Sequence, residues 1–130
     1  MDTTVGVVAI VEDDAAMRKS IDRLLQLYGY ATTVFASAEA FLRSAVVGSA
    51  VGLVLDIHLG GMSGIELRRQ LLAAGSEIPV VLITADDNEA MRAEALAIGC
   101  IDYLQKPFEP SRLIQAVERG MQLLRTRRSL

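Results

Sequence analysis

Short runs of β-branched and aliphatic residues alternate with stretches of helical periodicity five times along this chain. The runs are VGVVAIV (5–11), YATTVF (30–35), VGLVL (51–55), IPVVLI (78–83) and IDYLQ (101–105). After the first, Met17, Ile21, Leu24, Leu25 and Tyr28 recur at the spacing of one helix face, and Gly29 stands where that helix would stop. Ser37 can cap a short second helix reaching about Ser44. Ser63 and Glu66 form a capping-box pattern ahead of LRRQLLAAG, with Gly75 as its stop. Asp86 or Asp87 can cap a fourth helix ended by Gly99, and Pro110 suits the first turn of a fifth carrying Leu113, Val117, Met121 and Leu124. Strands alternating with helices imply a parallel sheet covered on both faces. VGVVAIV, VGLVL and VVLI are apolar throughout, as strands buried on both faces should be. The small and polar residues of YATTVF read instead as an edge strand.

At 130 residues the chain fits one domain with a real core. Half of it is apolar, yet no run approaches the ~18 residues that span a membrane. The opening MDTTVG has no signal-peptide pattern. A net charge of −3 gives no general pull toward nucleic acid. Arg125, Arg127 and Arg128 suit a helix C-terminus or the start of a linker better than a nucleic-acid patch. The single Cys100 cannot form an internal disulfide, and it fits a packed thiol in a reducing compartment, the cytoplasm.

In an open parallel α/β sheet, ligands bind outside the carboxyl ends of the strands. Glu12 and Asp13 follow the first run, Asp56 the third, Thr84 the fourth and Lys106 the fifth. Three carboxylates, a hydroxyl and an ammonium in one crevice suggest a divalent cation beside a phosphoryl group. Close carboxylates repel, so one would take up a proton unless a cation neutralises them. Mg²⁺, hard and oxygen-liganded, is the natural choice. A carboxylate can also attack phosphorus to form an acyl phosphate. Asp56 has the right place for that, after an apolar strand and before a Gly-rich loop. The plainer readings are helix capping by Asp56, capping of the first helix by Asp13 or Asp14, and a solvated Lys106.

Four motifs in order, IVEDD, LVLDIHLGGMSG, VLITAD and YLQKPF, resemble those of a response-regulator receiver domain over nearly the whole chain. The receiver would occupy 1–124, with 125–130 a basic helix end or the start of a linker. The resemblance implies a flavodoxin-like three-layer fold of five βα units, its parallel strands in the order 2-1-3-4-5. Asp56 would accept a phosphoryl group from a sensor histidine kinase or phosphotransfer protein. Mg²⁺ would be held by Glu12, Asp13, Asp56 and the backbone carbonyl of His58, whose ring would face solvent. The Thr84 hydroxyl, the Ala85 amide and Lys106 would contact the phosphoryl oxygens. Without phosphate, Lys106 would pair with Asp56 or Asp13. A cis Lys106-Pro107 peptide would aim the lysine. Thr84 and Tyr103 would act as a switch, the tyrosine ring swinging inward. The changed surface would comprise the fourth helix, fifth strand and fifth helix, which could pair two copies or meet an output domain or target. No turnover of an external substrate, no membrane contact and no direct nucleic-acid contact are expected. The chain reads as a stand-alone receiver or one cut from a longer protein.

Two departures from the family pattern stand out. Glu12 replaces the common Asp, and its extra methylene is expected to move the carboxylate outward, so that it meets the metal through water. Gly60 replaces the proline of Asp-x-x-Met-Pro, which frees φ and raises the entropy of the loop. Three rivals follow from the residues. A degenerate receiver would bind partners without phosphorylation, but Asp56, Thr84 and Lys106 are intact. A phosphatase of the haloacid dehalogenase type needs a second acid two residues after the nucleophile, where His58 stands. A flavin or nucleotide site needs a Gly-rich loop after the first strand, where Glu12-Asp13-Asp14 would repel phosphates.

Overall fold

The computed structural model describes residues 6–128. Residues 1–5, including Val5 at the start of the first apolar run, and 129–130, at the end of the basic tail, lie outside the described residues. Five parallel strands alternate with five α-helices: β1 (Val7–Val11), α1 (Ala15–Leu27), β2 (Ala31–Phe35), α2 (Ala38–Leu42), β3 (Gly52–Asp56), α3 (Gly64–Ala73), β4 (Val80–Thr84), α4 (Glu89–Ile98), β5 (Asp102–Gln105) and α5 (Pro110–Arg128). The strand order is β2-β1-β3-β4-β5, with β2 at one edge. Val11 lies opposite Leu55, Asp56 opposite Ile83, and Thr84 opposite Gln105. The carboxyl ends of four neighbouring strands therefore form one rim.

Alternation along the strands divides the core in two. Ala9, Val11, Leu53, Leu55, Val80, Leu82 and Tyr103 face α2, α3 and α4, where Phe41, Leu67, Leu71 and Ala95 meet them. Val8, Ile10, Val54, Val81, Ile83 and Leu104 face α1 and α5, packing on Ile21, Leu25, Leu113 and Val117. All five residues of β3 and of β4 are buried, whereas β2 is only half-buried.

Local signals set most helix ends. Asp14, Ser37 and Ser63 cap α1, α2 and α3 by accepting from the amides of Met17, Ala40 and Glu66. Gly29, Gly75 and Gly99 follow helices α1, α3 and α4 with φ of 88°, 79° and 80°. The cap of α4 differs from the sequence expectation. Asn88 accepts from the Met91 amide, and neither Asp86 nor Asp87 caps the helix. A 3₁₀ turn over Ala45–Gly48, which nothing in the sequence announced, leads into β3. Helix α5 continues past residue 124 to Arg128, so Arg125, Arg127 and Arg128 lie in its last turn. Cys100 is half-buried just before β5, and burial foremost pushes its thiol pKa up.

Gly64 opens α3 against the end of β3. A Cβ there would lie 2.3 Å from the Asp56 carbonyl oxygen and 2.9 Å from Ile57 Cα. The helix start and the strand end thus touch backbone to backbone, and the Gly64 amide donates to the Ile57 carbonyl at 3.0 Å.

Candidate functional site

Burying a polar side chain is costly unless it is paired, and the cost is greater for a charge. Among the described residues, the buried polar side chains are Glu12, Asp56 and Thr84. They sit on the rim formed by β1, β3 and β4. One carboxylate oxygen from each of Glu12, Asp13 and Asp56 lies within 4.8 Å of the others. Asp13 is exposed at the mouth of this group, and its Oδ2 accepts from the Gly60 amide at 3.4 Å. Arg18 steadies the turn after β1 by donating to the Glu12 carbonyl at 2.9 Å.

Lys106 follows β5 and reaches back across the rim. Its Nζ donates to Glu12 Oε1 at 2.6 Å and to Asp56 Oδ2 at 3.2 Å. The Lys106-Pro107 peptide is cis. The expected pairing with Asp56 is present, but the closer partner is Glu12, and no contact with Asp13 is seen. Glu12 also corrects the expectation that its carboxylate extends outward. It is fully buried, with Oε1 on the lysine and Oε2 accepting from the Asp14 amide at 3.1 Å. The longer side chain allows it to reach the ammonium.

Burial, followed by the neighbouring Asp56 carboxylate, drives the Glu12 pKa up to about 7 against the pull of Lys106. Burial alone would lower the ammonium pKa of Lys106. Its hydrogen bond to Glu12 and the charge of Asp56 prevail, and the net shift is upward. Lys106 pairs with two of the three acidic side chains and does not reach Asp13, so this corner has room for more positive charge. The donor set, carboxylate oxygens alone, fits a hard divalent ion such as Mg²⁺.

The segment after β3 is tied down amide by amide. His58 N donates to Asp56 Oδ1 at 3.0 Å, Gly60 N to Asp13, and Met62 N to Glu39 Oε2 at 2.9 Å. The His58 side chain is exposed, as expected. Glu39 lies in the first turn of α2, and nothing in the sequence singled it out.

Thr84 closes β4 with its hydroxyl turned into the following loop. Oγ1 accepts from the Asp86 amide and donates to the Asp86 carbonyl, each at 3.1 Å, with Met91 Sδ at 3.7 Å. Ala85, beside it, is exposed. Tyr103 on β5 is 7 % exposed, and its hydroxyl donates to Asp87 Oδ1 at 3.1 Å. The Arg92 guanidinium pairs with Asp87 and lies 4.8 Å from the centroid of the tyrosine ring. Burial, then the Asp87 contact, pushes the Tyr103 pKa up to about 12. Asp87, expected as a helix cap, instead links the β4–α4 loop to β5.

The family described as response regulator receiver domain matches residues 8–118. The transcriptional regulatory protein FixJ of Bradyrhizobium diazoefficiens is 38% identical over 117 residues, which are 89% of this chain and 57% of that protein. Among solved structures, the response regulator StyR shares 39% identity with a TM-score of 0.89, over 97% of this chain and 64% of its own. The crystal structure of FixJ-N shares 37% identity with a TM-score of 0.83, over 94% of this chain and 96% of its own. The chain spans a little over half the length of the curated relatives it matches.

Proposed function

The chain belongs to the response regulator receiver domain family, and from that premise we propose that it is a Mg²⁺-dependent phosphoacceptor switch charged at Asp56. One observation carries the reading: among the described residues, the buried polar side chains are Glu12, Asp56 and Thr84, gathered on the rim that Lys106 reaches. Acids are rarely buried unless paired, and Glu12 and Asp56 share Lys106 where an open α/β sheet binds ligands.

In the proposed reaction an Asp56 carboxylate oxygen attacks phosphorus. The new O–P bond forms as the N–P bond of a kinase phosphohistidine breaks, and the imidazole leaves with the electron pair. Bound by Glu12, Asp13, Asp56 and the His58 carbonyl, Mg²⁺ would supply the positive charge that lets anionic groups approach one another. The His58 amide keeps Asp56 Oδ1 oriented. Lys106 can exchange its 3.2 Å contact with Asp56 for a phosphoryl oxygen while Glu12 anchors it at 2.6 Å. Positioning and charge account for such a transfer, with no need for turnover of an external substrate.

The switch would run through the β4–α4 loop. To donate to a phosphoryl oxygen, the Thr84 hydroxyl must release the Asp86 backbone. The next residue, Asp87, holds the Tyr103 hydroxyl, so the release reaches β5 through one intervening residue. The Ala85 amide would complete the phosphoryl contacts. The surface of α4, β5 and α5 would then change toward an output domain, a target or a second copy. No helix among the described residues is long and apolar enough to cross a membrane. A cytoplasmic location, a partner kinase or phosphotransfer protein, and the absence of direct nucleic-acid contact belong to the same proposal.

Two results are expected. A ligand that binds only the folded state stabilises it by mass action; if its dissociation constant is ~1 mM, ~10 mM Mg²⁺ adds about 1.4 kcal/mol. Thermal melting should therefore rise with Mg²⁺ in the wild type and much less in Asp13→Ala; an equal rise in both removes Asp13 from the site. In Lys106→Ala, acyl phosphate should still form from acetyl phosphate, but the NMR shift changes around Tyr103 and α4 on adding beryllofluoride should largely vanish. Full wild-type shifts would show that the lysine is not needed to transmit the signal.

A further inference from the structure

We infer that Glu39 is a positioning residue for the metal site, holding the Met62 amide and so fixing the loop that carries the His58 carbonyl. The inference rests on the Mg²⁺-dependent reading of the rim. The loop between β3 and α3 contains adjacent glycines, Gly60 and Gly61. Left free, such a segment loses much conformational entropy when one of its carbonyls must be held at a cation. Three of its amides, at alternate residues, instead donate to carboxylates from three parts of the fold. His58 donates to Asp56, Gly60 to Asp13, and Met62 to Glu39.

The first two acceptors belong to the acidic group and face the demands of a bound cation. The Gly60 contact is also the longest, at 3.4 Å. Glu39 lies outside that group, and its 2.9 Å bond is free of this competition. A backbone amide donating to a carboxylate makes a charge-assisted bond, stronger than an amide–carbonyl pair. Glu39 is anchored in turn by its place in the first turn of α2, whose N-terminus favours negative charge. Its pKa is lowered, first by the Met62 amide and then by its own. Gly61 adopts φ +76°, and a Cβ there would approach Glu39 Oε2 to 2.8 Å. The glycine both permits the turn and leaves the carboxylate room to close on the loop. Position 60, where the family often places proline, lacks a ring to fix φ here, and Glu39 holds the same loop two residues further on.

The test compares wild type, Glu39→Ala and Glu39→Gln. Mg²⁺ affinity is measured by titrating backbone amide NMR shifts, and Met62 amide hydrogen exchange is followed without Mg²⁺. Circular dichroism checks that each variant folds. Glu39→Ala should bind Mg²⁺ about fivefold more weakly, less than the ~10–100-fold cost of losing a partner bonded directly to a ligand, and its Met62 amide should exchange faster. Glu39→Gln keeps an oxygen that accepts from Met62, in a bond no longer charge-assisted, and should lose clearly less than Glu39→Ala. A folded Glu39→Ala with wild-type Mg²⁺ affinity overturns the inference. Equal loss in Ala and Gln also overturns it, because remote charge rather than the hydrogen bond would then be responsible. If the wild type itself binds no Mg²⁺, the metal reading fails first and the inference with it, an outcome distinct from tight binding by both wild type and Ala.

Discussion

Asp56→Asn is expected to take up no phosphoryl label from acetyl phosphate, and the wild type to be labelled. The substitution preserves shape: an asparagine oxygen can still accept from the His58 amide, now held at 3.0 Å. It removes the anionic oxygen that the proposed reaction uses to attack phosphorus. Lys106 keeps Glu12 as its closer partner, so the ammonium is not stranded. Burial foremost raises the Glu12 pKa, then a hydrogen bond with Asp56, and repulsion by the Asp56 charge adds least. Removing that charge relieves a small repulsion and also removes one of the two ion pairs of Lys106, so the effects oppose and the variant should melt close to wild type in the absence of Mg²⁺. Loss of label then reports chemistry and not unfolding. Wild-type labelling of Asp56→Asn would place the acyl phosphate elsewhere and refute the central proposal.

Gly64→Ala is expected to be the most damaging of the glycine-to-alanine changes near the rim. The added Cβ would sit 2.3 Å from the Asp56 carbonyl oxygen, with Ile57 Cα at 2.9 Å. Both are backbone atoms, so no side chain can swing aside. Alanine favours a helix over glycine by about 1 kcal/mol. Pushing α3 off the end of β3 should cost more, about 3 kcal/mol as overpacking of a tight core does. The net loss would lower the melting temperature by roughly 8 °C in a domain of this size. Labelling at Asp56 should fall as well, because the displaced carbonyl belongs to the proposed phosphoacceptor. Gly48→Ala is the control, because a Cβ added there would meet nothing within 4 Å. If Gly64→Ala melts with Gly48→Ala, α3 is free to shift and the backbone contact is not a constraint.

Legibility in the sequence followed distance along the chain. The strand–helix alternation and the stops at Gly29, Gly75 and Gly99 are local signals, and the described structure has the helix ends there. Glu12, Asp13, Asp56, Thr84 and Lys106 could be grouped because each ends or follows an apolar run, and strand ends converge by geometry. Where adjacent residues carry the same chemistry, the reading lost resolution. Asp86, Asp87 and Asn88 can all cap a helix, and only the fold decided for Asn88. The contacts missed are between side chains or amides far apart in sequence. Glu39 and Met62 are 23 residues apart, Tyr103 and Asp87 are 16, and Lys106 and Glu12 are 94. The sequence placed Lys106 and Glu12 on the same rim, but side-chain length settled which acid the ammonium prefers.

Tyr103 and Leu104 are adjacent yet belong to opposite layers, the tyrosine with α2, α3 and α4 and the leucine with α1 and α5. A shift of β5 by one position would exchange the two layers for every residue it carries. The tyrosine would enter the layer that has no Asp87, and the hydroxyl would lose its acceptor. Lineages descended from this chain can thus change β5 by replacement, residue for residue, while a single inserted or deleted codon within Asp102–Gln105 would keep the pairing of a strand and lose the tie from Tyr103 to the β4–α4 loop.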